Sequence, residues 1–412
     1  MSVTSPMGAP ERASEVLPIN EPRRADGTAA VVEPQPAGAA LPIVVPQRAR
    51  FDEPLELECG RMLPSFEVAY ETYGQLAPDG GNAILVCHAY TSDHHAAGRH
   101  AQSDARAGWW DTLIGPGKTF DSERFFVVSS NCLGGSHGTT GAGSIDPTTG
   151  RRYGGSFPVV TMADIVDVQA RLADRLGITR FHAIAGGCFG GAQVLQWMAR
   201  HPERLANAIV ISATPRASVH TVALSLIGRE AIRRDPRWNG GDYYDGEPPS
   251  DGIALLTMFG ALFWQDRNLL QRKLAPEMAR TRTLGYDFAP EFEIERQLLR
   301  LGVPQNVTLD ANALLYLARA NDYFDLSRGH ASLAAALAGW RGRTLLLGFA
   351  QDWRYPPEDI AEIDAALRAN GAVSRHVTLS NPLGHGAFLR DTPAIEPELR
   401  QFLHEADHAA RH

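Results

Sequence analysis

Short apolar segments alternate with segments of helical spacing through much of this 412-residue chain. Residues 83–87 and 125–130 are nearly all apolar, as strands buried on both faces are. A helix is predicted over residues 161–176 and a further strand over 180–185, and the alternation continues to the strand at 344–349. Buried strands joined by helices form mostly parallel sheets covered on both faces. The pattern therefore predicts an α/β fold.

Composition divides the chain into a tail, a core and an insertion. Residues 1–46 carry eight prolines and no aromatic residue, which predicts a disordered tail. Between residues 216 and 325 the strand signal disappears and helical segments replace it. We therefore expect a helical lid at 216–325, inserted between two parts of one core at 47–215 and 326–412.

The charge balance excludes some classes of partner. The formal net charge is −8, so no basic excess is available to neutralise a nucleic-acid backbone. No apolar run approaches the roughly 18 residues that a membrane-spanning helix needs. The four cysteines are too scattered for a disulfide framework, and the first residues do not resemble a secretory signal. We expect a cytoplasmic protein with neither nucleic acid nor membrane as partner.

The sharpest chemical signal is the sequence Gly186-Gly187-Cys188-Phe189-Gly190, which follows a predicted strand and opens a predicted helix. It fits the G-x-nucleophile-x-G elbow, in which the nucleophile occupies a strained strand-to-helix turn and the glycines permit close backbone approach. A position at a helix N-terminus favours the thiolate of Cys188. The alternative is a glycine-rich turn around a buried structural cysteine.

An acid and a histidine follow Cys188 in the order that this elbow requires. Asp352 comes just after the strand at 344–349, and His385 follows a predicted strand at 376–379. Each has an ordinary alternative, Asp352 as a helix cap and His385 as a surface loop residue. Together, and each after a strand, they predict a Cys188-His385-Asp352 triad.

An oxyanion hole is expected from two backbone amides, that of Phe189 after the nucleophile and that of Tyr90 after the strand at 83–87. His94, His95 and His100 follow Tyr90 in the same loop and raise the alternative of a metal cluster. Adjacent histidines point apart on regular elements, so the sequence favours no metal. Cys59, Cys87 and Cys132 lie in or beside predicted strands and are expected to react slowly.

Several further segments accompany these residues, and together they resemble the homoserine O-acetyltransferase family over residues 51–405. The segments are Gly108-Trp109-Trp110-Asp111, Gly115-Pro116-Gly117-Lys118, Asn131-Cys132-Leu133-Gly134-Gly135, Phe157-Pro158-Val159-Val160-Thr161, Asp235-Pro236-Arg237-Trp238 and Asp352-Trp353. The resemblance implies an α/β-hydrolase fold with a helical lid and ping-pong transfer from acyl-CoA, with no bound cofactor. It also implies a homodimer joined through the lid.

Three departures from the family concern the site. Cys188 stands where the family has serine, and Gly386 stands where an aspartate after the catalytic histidine holds the amino group of homoserine. Thr257 matches the lid arginine that holds the substrate carboxylate. A second lid arginine matches Gln265, with Arg267 close enough for a small misalignment to restore it. We therefore expect a substrate-binding pocket at Thr257 and Gly386 that is altered for homoserine.

The favoured interpretation is an acyltransferase that passes an acyl group from acyl-CoA through Cys188 to a small hydroxyl or amine acceptor other than homoserine. Three alternatives stay open: an ester or thioester hydrolase with the same triad, a genuine homoserine O-acetyltransferase, and a relative that has lost catalysis and keeps the fold for binding.

Overall fold

The computed structural model describes residues 41–280, 284–303 and 309–410. Its centre is an eight-stranded sheet. The strands are β1 Gln47–Phe51, β2 Phe66–Tyr73, β3 Ala83–Cys87, β4 Phe126–Ser130, β5 Phe181–Gly187, β6 Leu205–Ile211, β7 Arg343–Phe349 and β8 Val373–Leu379. Their order in the sheet is β1-β2-β4-β3-β5-β6-β7-β8. Strands β3 to β8 are parallel, and β2 is antiparallel to both of its neighbours.

Eleven helices are found in the described part of the chain. They are α1 Met162–Arg175, α2 Phe189–Arg200, α3 Val219–Arg233, α4 Ser250–Phe263, α5 Arg267–Arg280, α6 Glu293–Leu301, α7 Ala311–Tyr323, α8 Leu333–Ala336, α9 Pro357–Ala369, α10 Ala387–Arg390 and α11 Thr392–Ala410. None of them is both long and apolar enough to cross a membrane. Short paired strands at Leu55–Glu56 with Met62–Leu63, and at Ile114–Gly115 with Phe120–Asp121, lie outside the main sheet.

The α/β fold predicted from the alternation is confirmed, and the local signals explain where its elements begin. Every residue of β3 is buried, as its apolar sequence requires. Helix α1 begins after Thr161, which forms a capping box with Asp164. Parallel strands place their carboxyl ends at one edge of the sheet. The loops that follow β3, β5, β7 and β8 therefore lie close together. These four strands end at Cys87, Gly187, Phe349 and Leu379.

Helices α3 to α7 lie between β6 and β7, in the segment predicted as a lid. An isolated antiparallel bridge pairs Arg216 with Asp325, the two ends of the predicted insertion. Within it, Arg229 of α3 forms a buried ion pair with Asp322 of α7. These contacts join the first and last lid helices close to the place where the chain leaves and re-enters the core.

The predicted tail overlaps only slightly with the described chain. Residues 1–40 lie outside the described residues, and residues 41–46 lie inside them. Val44 is buried, and its backbone N–H donates a 2.9 Å hydrogen bond to the carbonyl oxygen of Arg99. The chain therefore packs against the core from at least Val44, a few residues before the predicted core boundary at 47.

Candidate active site

Cys188 occupies a strained turn between β5 and α2. Its φ is +58° and its ψ is −122°, a conformation that non-glycine residues rarely adopt. The turn is held because Cys188 N–H donates to Ile211 O at 2.9 Å, and Cys188 O accepts from Ala192 N–H at 3.1 Å. The residue is only 3% exposed. Strain retained at a buried thiol is typical of a functional position.

The two glycines flanking the turn have a steric reason. A Cβ on Gly186 would lie 2.5 Å from the backbone of Gly190. A Cβ on Gly190 would lie 2.1 Å from the carbonyl oxygen of Cys87 at the end of β3. Any side chain at either position would push the elbow away from the neighbouring strand. The spacing of the glycines in the sequence therefore has the physical basis of a nucleophile elbow.

Asp352 and His385 lie together on the loops after β7 and β8. His385 Nδ1 is 2.8 Å from Asp352 Oδ2, and both side chains are fully buried. Asp352 Oδ1 accepts 3.0 Å hydrogen bonds from the backbone N–H groups of Arg354 and Tyr355. Since the carboxylate accepts at Nδ1, that nitrogen carries the proton and Nε2 remains for other chemistry. Nε2 has no nitrogen or oxygen partner among the described residues.

Cys188 and His385 form an electrostatic pair. Burial raises the pKa of the Cys188 thiol, but the charges of His385 and Arg354 help to outweigh burial and lower that pKa. Burial lowers the pKa of His385, but the charges of Asp352 and Cys188 outweigh it and raise that pKa to about 9. Each group therefore favours the charged form of the other, thiolate beside imidazolium.

Cys188 opens into a cavity of about 390 Å³ between the core and the lid. Tyr90 and Phe189, the predicted oxyanion donors, both line it, and their rings meet edge to face at 6.4 Å. His88 precedes Tyr90 in the same loop, and its Nε2 accepts a 3.1 Å hydrogen bond from Cys132 N–H, which fixes the loop. The geometry thus brings the predicted nucleophile and both predicted donors to one cavity.

The predicted acceptor-binding positions carry no charge. Thr257 lines the cavity, but its hydroxyl donates 2.9 Å back to Ile253 O within α4. Gly386 N–H donates 3.0 Å to Trp264 O of the lid, and an added Cβ would lie 3.0 Å from the same oxygen. A side chain at residue 386 would therefore require this part of the lid to give way. Gln265 and Arg267 line a separate surface groove.

The sequence analysis missed three arginines that line the cavity: Arg229, Arg354 and Arg390. Among the described lining residues none is acidic. Arg354 is close enough to Cys188 to affect its charge, and its Nε is buried without a hydrogen-bond partner in the described chain. The sequence signal that could have placed Arg354 in the cavity was its position two residues after Asp352. The other two come from the lid and from the helix after His385, and the sequence carried no sign of their convergence.

The remaining cysteines differ from Cys188. Cys87 and Cys132 are buried, and burial raises the pKa of both thiols. Their slow reaction stays a prediction with this physical basis. Cys59 lies in an exposed turn between the short strands Leu55–Glu56 and Met62–Leu63, so burial does not slow its reaction and we now expect it to react as an ordinary thiol.

Comparisons with known proteins agree with this architecture. A family profile described as alpha/beta hydrolase fold matches residues 82–391. The chain is 46% identical over 345 residues to a homoserine O-succinyltransferase of Halorhodospira halophila, covering 83% of this chain and 90% of that protein.

Two solved structures are also similar. A homoserine O-acetyltransferase from Bacillus anthracis has a TM-score of 0.80 at 28% identity, covering 88% of this chain and 98% of its own. The esterase E22 has a TM-score of 0.81 at 28% identity, covering 87% of this chain and 100% of its own. The chain is thus similar in fold both to a homoserine O-acetyltransferase and to an esterase.

Proposed function

Because the chain belongs to the homoserine O-acyltransferase family of α/β-hydrolase-fold enzymes, we propose that it transfers an acyl group from acyl-CoA through Cys188 to a small acceptor. Its membership makes it an acyltransferase. The observation that supports the route through Cys188 is its strained, buried turn beside His385, whose imidazole Asp352 holds at 2.8 Å and whose charge lowers the pKa of the thiol.

The first half-reaction forms a thioester on the enzyme. The Cys188 thiolate attacks the carbonyl carbon of acyl-CoA, and the backbone amides of Phe189 and Tyr90 stabilise the developing oxyanion. The bond to the CoA sulfur then breaks, and imidazolium His385 gives its Nε2 proton to the departing thiolate. Exchange between two thioesters is nearly thermoneutral, so a cysteine suits this step.

The second half-reaction releases the product. Neutral His385 takes the proton of the acceptor hydroxyl or amine as the acceptor attacks the carbonyl carbon of the acyl-enzyme. The bond to Cys188 breaks, the ester or amide leaves, and the thiolate returns beside imidazolium. Asp352 keeps His385 in one tautomer through both steps.

The cavity favours a donor with a negatively charged acyl group. Arg354 lies beside the nucleophile with a donor atom to spare, and the lining holds no acidic residue among those described. A guanidinium is the usual partner of a carboxylate. The Halorhodospira halophila relative is named a succinyltransferase, and succinyl carries such a carboxylate. We infer a dicarboxylic acyl group, with succinyl as the reference case.

The substitution Arg354→Met tests the proposed preference for a dicarboxylic acyl donor. We expect kcat/KM for succinyl-CoA to fall roughly 10- to 150-fold, the value of one charge-assisted contact of about 1.5–3 kcal/mol. The value for acetyl-CoA should fall much less, so the ratio of the two is the measurement. Arg390→Met is the matched control, because Arg390 also lines the cavity. Equal losses for both donors, or a selective loss in the control alone, would contradict the role of Arg354.

The acceptor pocket is proposed to lack the two charged contacts that hold homoserine in the family. Gly386 and Thr257 offer no charge, and the lid carbonyl of Trp264 occupies the space beside Gly386. Losing two charge-assisted contacts, each worth about 1.5–3 kcal/mol, weakens binding by roughly two orders of magnitude or more. A small hydroxyl or amine compound without an essential ammonium contact fits this pocket better. A genuine homoserine O-acetyltransferase remains the alternative.

Intact-mass measurement tests the function itself. Incubation with succinyl-CoA should add one acyl group to the chain at Cys188. The group should persist in buffer and disappear when the true acceptor is added. Homoserine should discharge it without saturation in the low millimolar range.

Three results would change the proposal. Rapid loss of the acyl group in buffer alone would favour a hydrolase, which the similarity to esterase E22 makes the second candidate. Absence of any acyl-enzyme would favour a binding protein that has lost catalysis. A homoserine KM between about 1 μM and 1 mM would show that other residues hold this substrate.

The predicted homodimer and cytoplasmic location stay predictions. Helix α3 exposes Val219, Leu226 and Ile227, and this apolar surface is consistent with pairing through the lid.

A further inference from the structure

Three potential metal ligands meet beside the loop that follows β3. Glu71 of β2 is fully buried, with its Oε1 2.6 Å from His100 Nε2 and its Oε2 3.0 Å from His95 Nδ1. The nearest ligand atoms of the three side chains all lie within 4.8 Å of one another. The cavity over Cys188 is lined by other residues. This cluster is therefore a separate feature with its own chemistry.

Glu71 is oriented by a second contact. Tyr73 accepts hydrogen bonds from the backbone N–H groups of Ala96 and Ala97 at 3.0 and 2.9 Å. Its hydroxyl proton is thus directed to Glu71 Oε2, 2.6 Å away. Outer partners of this kind fix the ligand oxygens at metal sites. Tyr73 places Glu71 as an outer partner would.

Both histidines are also fixed through their backbones. His95 N–H donates to Asp93 Oδ1 at 2.8 Å, and His100 N–H donates to Asp104 Oδ2 at 2.9 Å. The two imidazole rings lie 3.9 Å apart between centroids. Two side chains separated by five positions therefore turn one nitrogen each toward the same carboxylate.

A third histidine lies beside this arrangement. His94 Nε2 is 3.9 Å from Glu71 Oε1, and its buried Nδ1 has no hydrogen-bond partner in the described chain. The sequence argument that His94 and His95 point apart overlooked Glu71, which β2 brings to the same place. His95 Nδ1 and His100 Nε2 lie within hydrogen-bond distance of the Glu71 carboxylate. One divalent cation can take the place of the protons shared in those two contacts and neutralise the buried carboxylate.

We propose that Glu71, His95 and His100 bind one divalent transition-metal ion of the Zn²⁺ class. Two imidazole nitrogens and one carboxylate suit Zn²⁺, Co²⁺ or Ni²⁺, whereas Mg²⁺ and Ca²⁺ prefer oxygen ligands alone. The ion would fasten the loop after β3 to strand β2. That loop carries Tyr90, so the site would stabilise the active-site wall without taking part in the reaction. The proposal does not depend on the assigned acyl donor or acceptor.

The test uses the full chain with Cys59→Ala and Cys188→Ala, which removes the exposed thiol and the cavity thiol that would compete for the metal. After chelator treatment and dialysis, Zn²⁺ titration by calorimetry should give one site per chain with Kd below about 10 μM, weaker than four-ligand structural sites. Co²⁺ should give visible absorption without a thiolate charge-transfer band. Zn²⁺ should raise Tm, and Mg²⁺ should not.

His100→Asn in the same background should weaken Zn²⁺ binding at least tenfold. His100 is the most exposed of the three ligands, with 38% side-chain exposure, so this change is the least disruptive to folding. His201→Asn is the matched control, since His201 also pairs with a carboxylate, Asp167, at 3.1 Å. No stoichiometric site, or equal weakening by both changes, would show that Glu71, His95 and His100 form a hydrogen-bonded cluster only.

Discussion

Replacing Cys188 by alanine is expected to lower acyl transfer at least 10⁴-fold, because the change removes the atom that carries the acyl group between the two half-reactions. The fold should survive. The backbone of the elbow is held by hydrogen bonds from Cys188 N–H and to Cys188 O, which alanine keeps. Steady-state kcat/KM with succinyl-CoA measures the loss, and thermal unfolding measures the stability.

Two further cysteine variants make this result specific. Cys188→Ser should keep partial activity, since the family's usual nucleophile is serine and His385 can serve as its base. The exposed Cys59, replaced by serine, is the matched control and should leave the rate unchanged. A Cys188→Ala protein that transferred acyl groups at the wild-type rate would overturn the assignment of the nucleophile.

The fold and the core of the site were predictable because their signals are local. The apolar run of β3, the capping box at Thr161 and the glycines around Cys188 each act within a few residues. The order of Cys188, Asp352 and His385 adds a topological constraint, because parallel strands gather their following loops at one edge. Local patterns and strand order together therefore suffice to place the three side chains near each other.

The rest of the site depends on contacts between distant parts of the chain. Gly386 bonds to Trp264 in the lid, more than 100 residues earlier, and Arg229 reaches the cavity from α3. Glu71 meets His95 only because β2 runs beside the loop after β3. A short-range pattern contains no information about such pairs.

His385→Ala is expected to slow alkylation of Cys188 at least tenfold near neutral pH. Burial raises the pKa of this thiol, and the charge of His385 is the largest influence that lowers it. Without the imidazole, burial should dominate, and the midpoint of labelling should move to pH 8.5 or above, roughly that of an ordinary thiol or higher. Well below the midpoint, the thiolate fraction falls about tenfold for each pH unit by which the midpoint rises.

The measurement is limited iodoacetamide labelling across pH, with each cysteine read by peptide mass mapping. In the unaltered chain Cys188 should label fastest, exposed Cys59 at the rate of an ordinary thiol, and Cys87 and Cys132 slowest. Asp352→Asn is the graded comparison, because it keeps the imidazole but removes the charge that helps to raise the pKa of His385 to about 9. Asp352→Asn should raise the midpoint of labelling less than His385→Ala does.

Since labelling requires no acyl donor or acceptor, it tests the thiolate-imidazolium pair independently of the substrates. Identical pH profiles in all three proteins would mean that Cys188 is a structural thiol, and that its proximity to His385 has no chemical consequence.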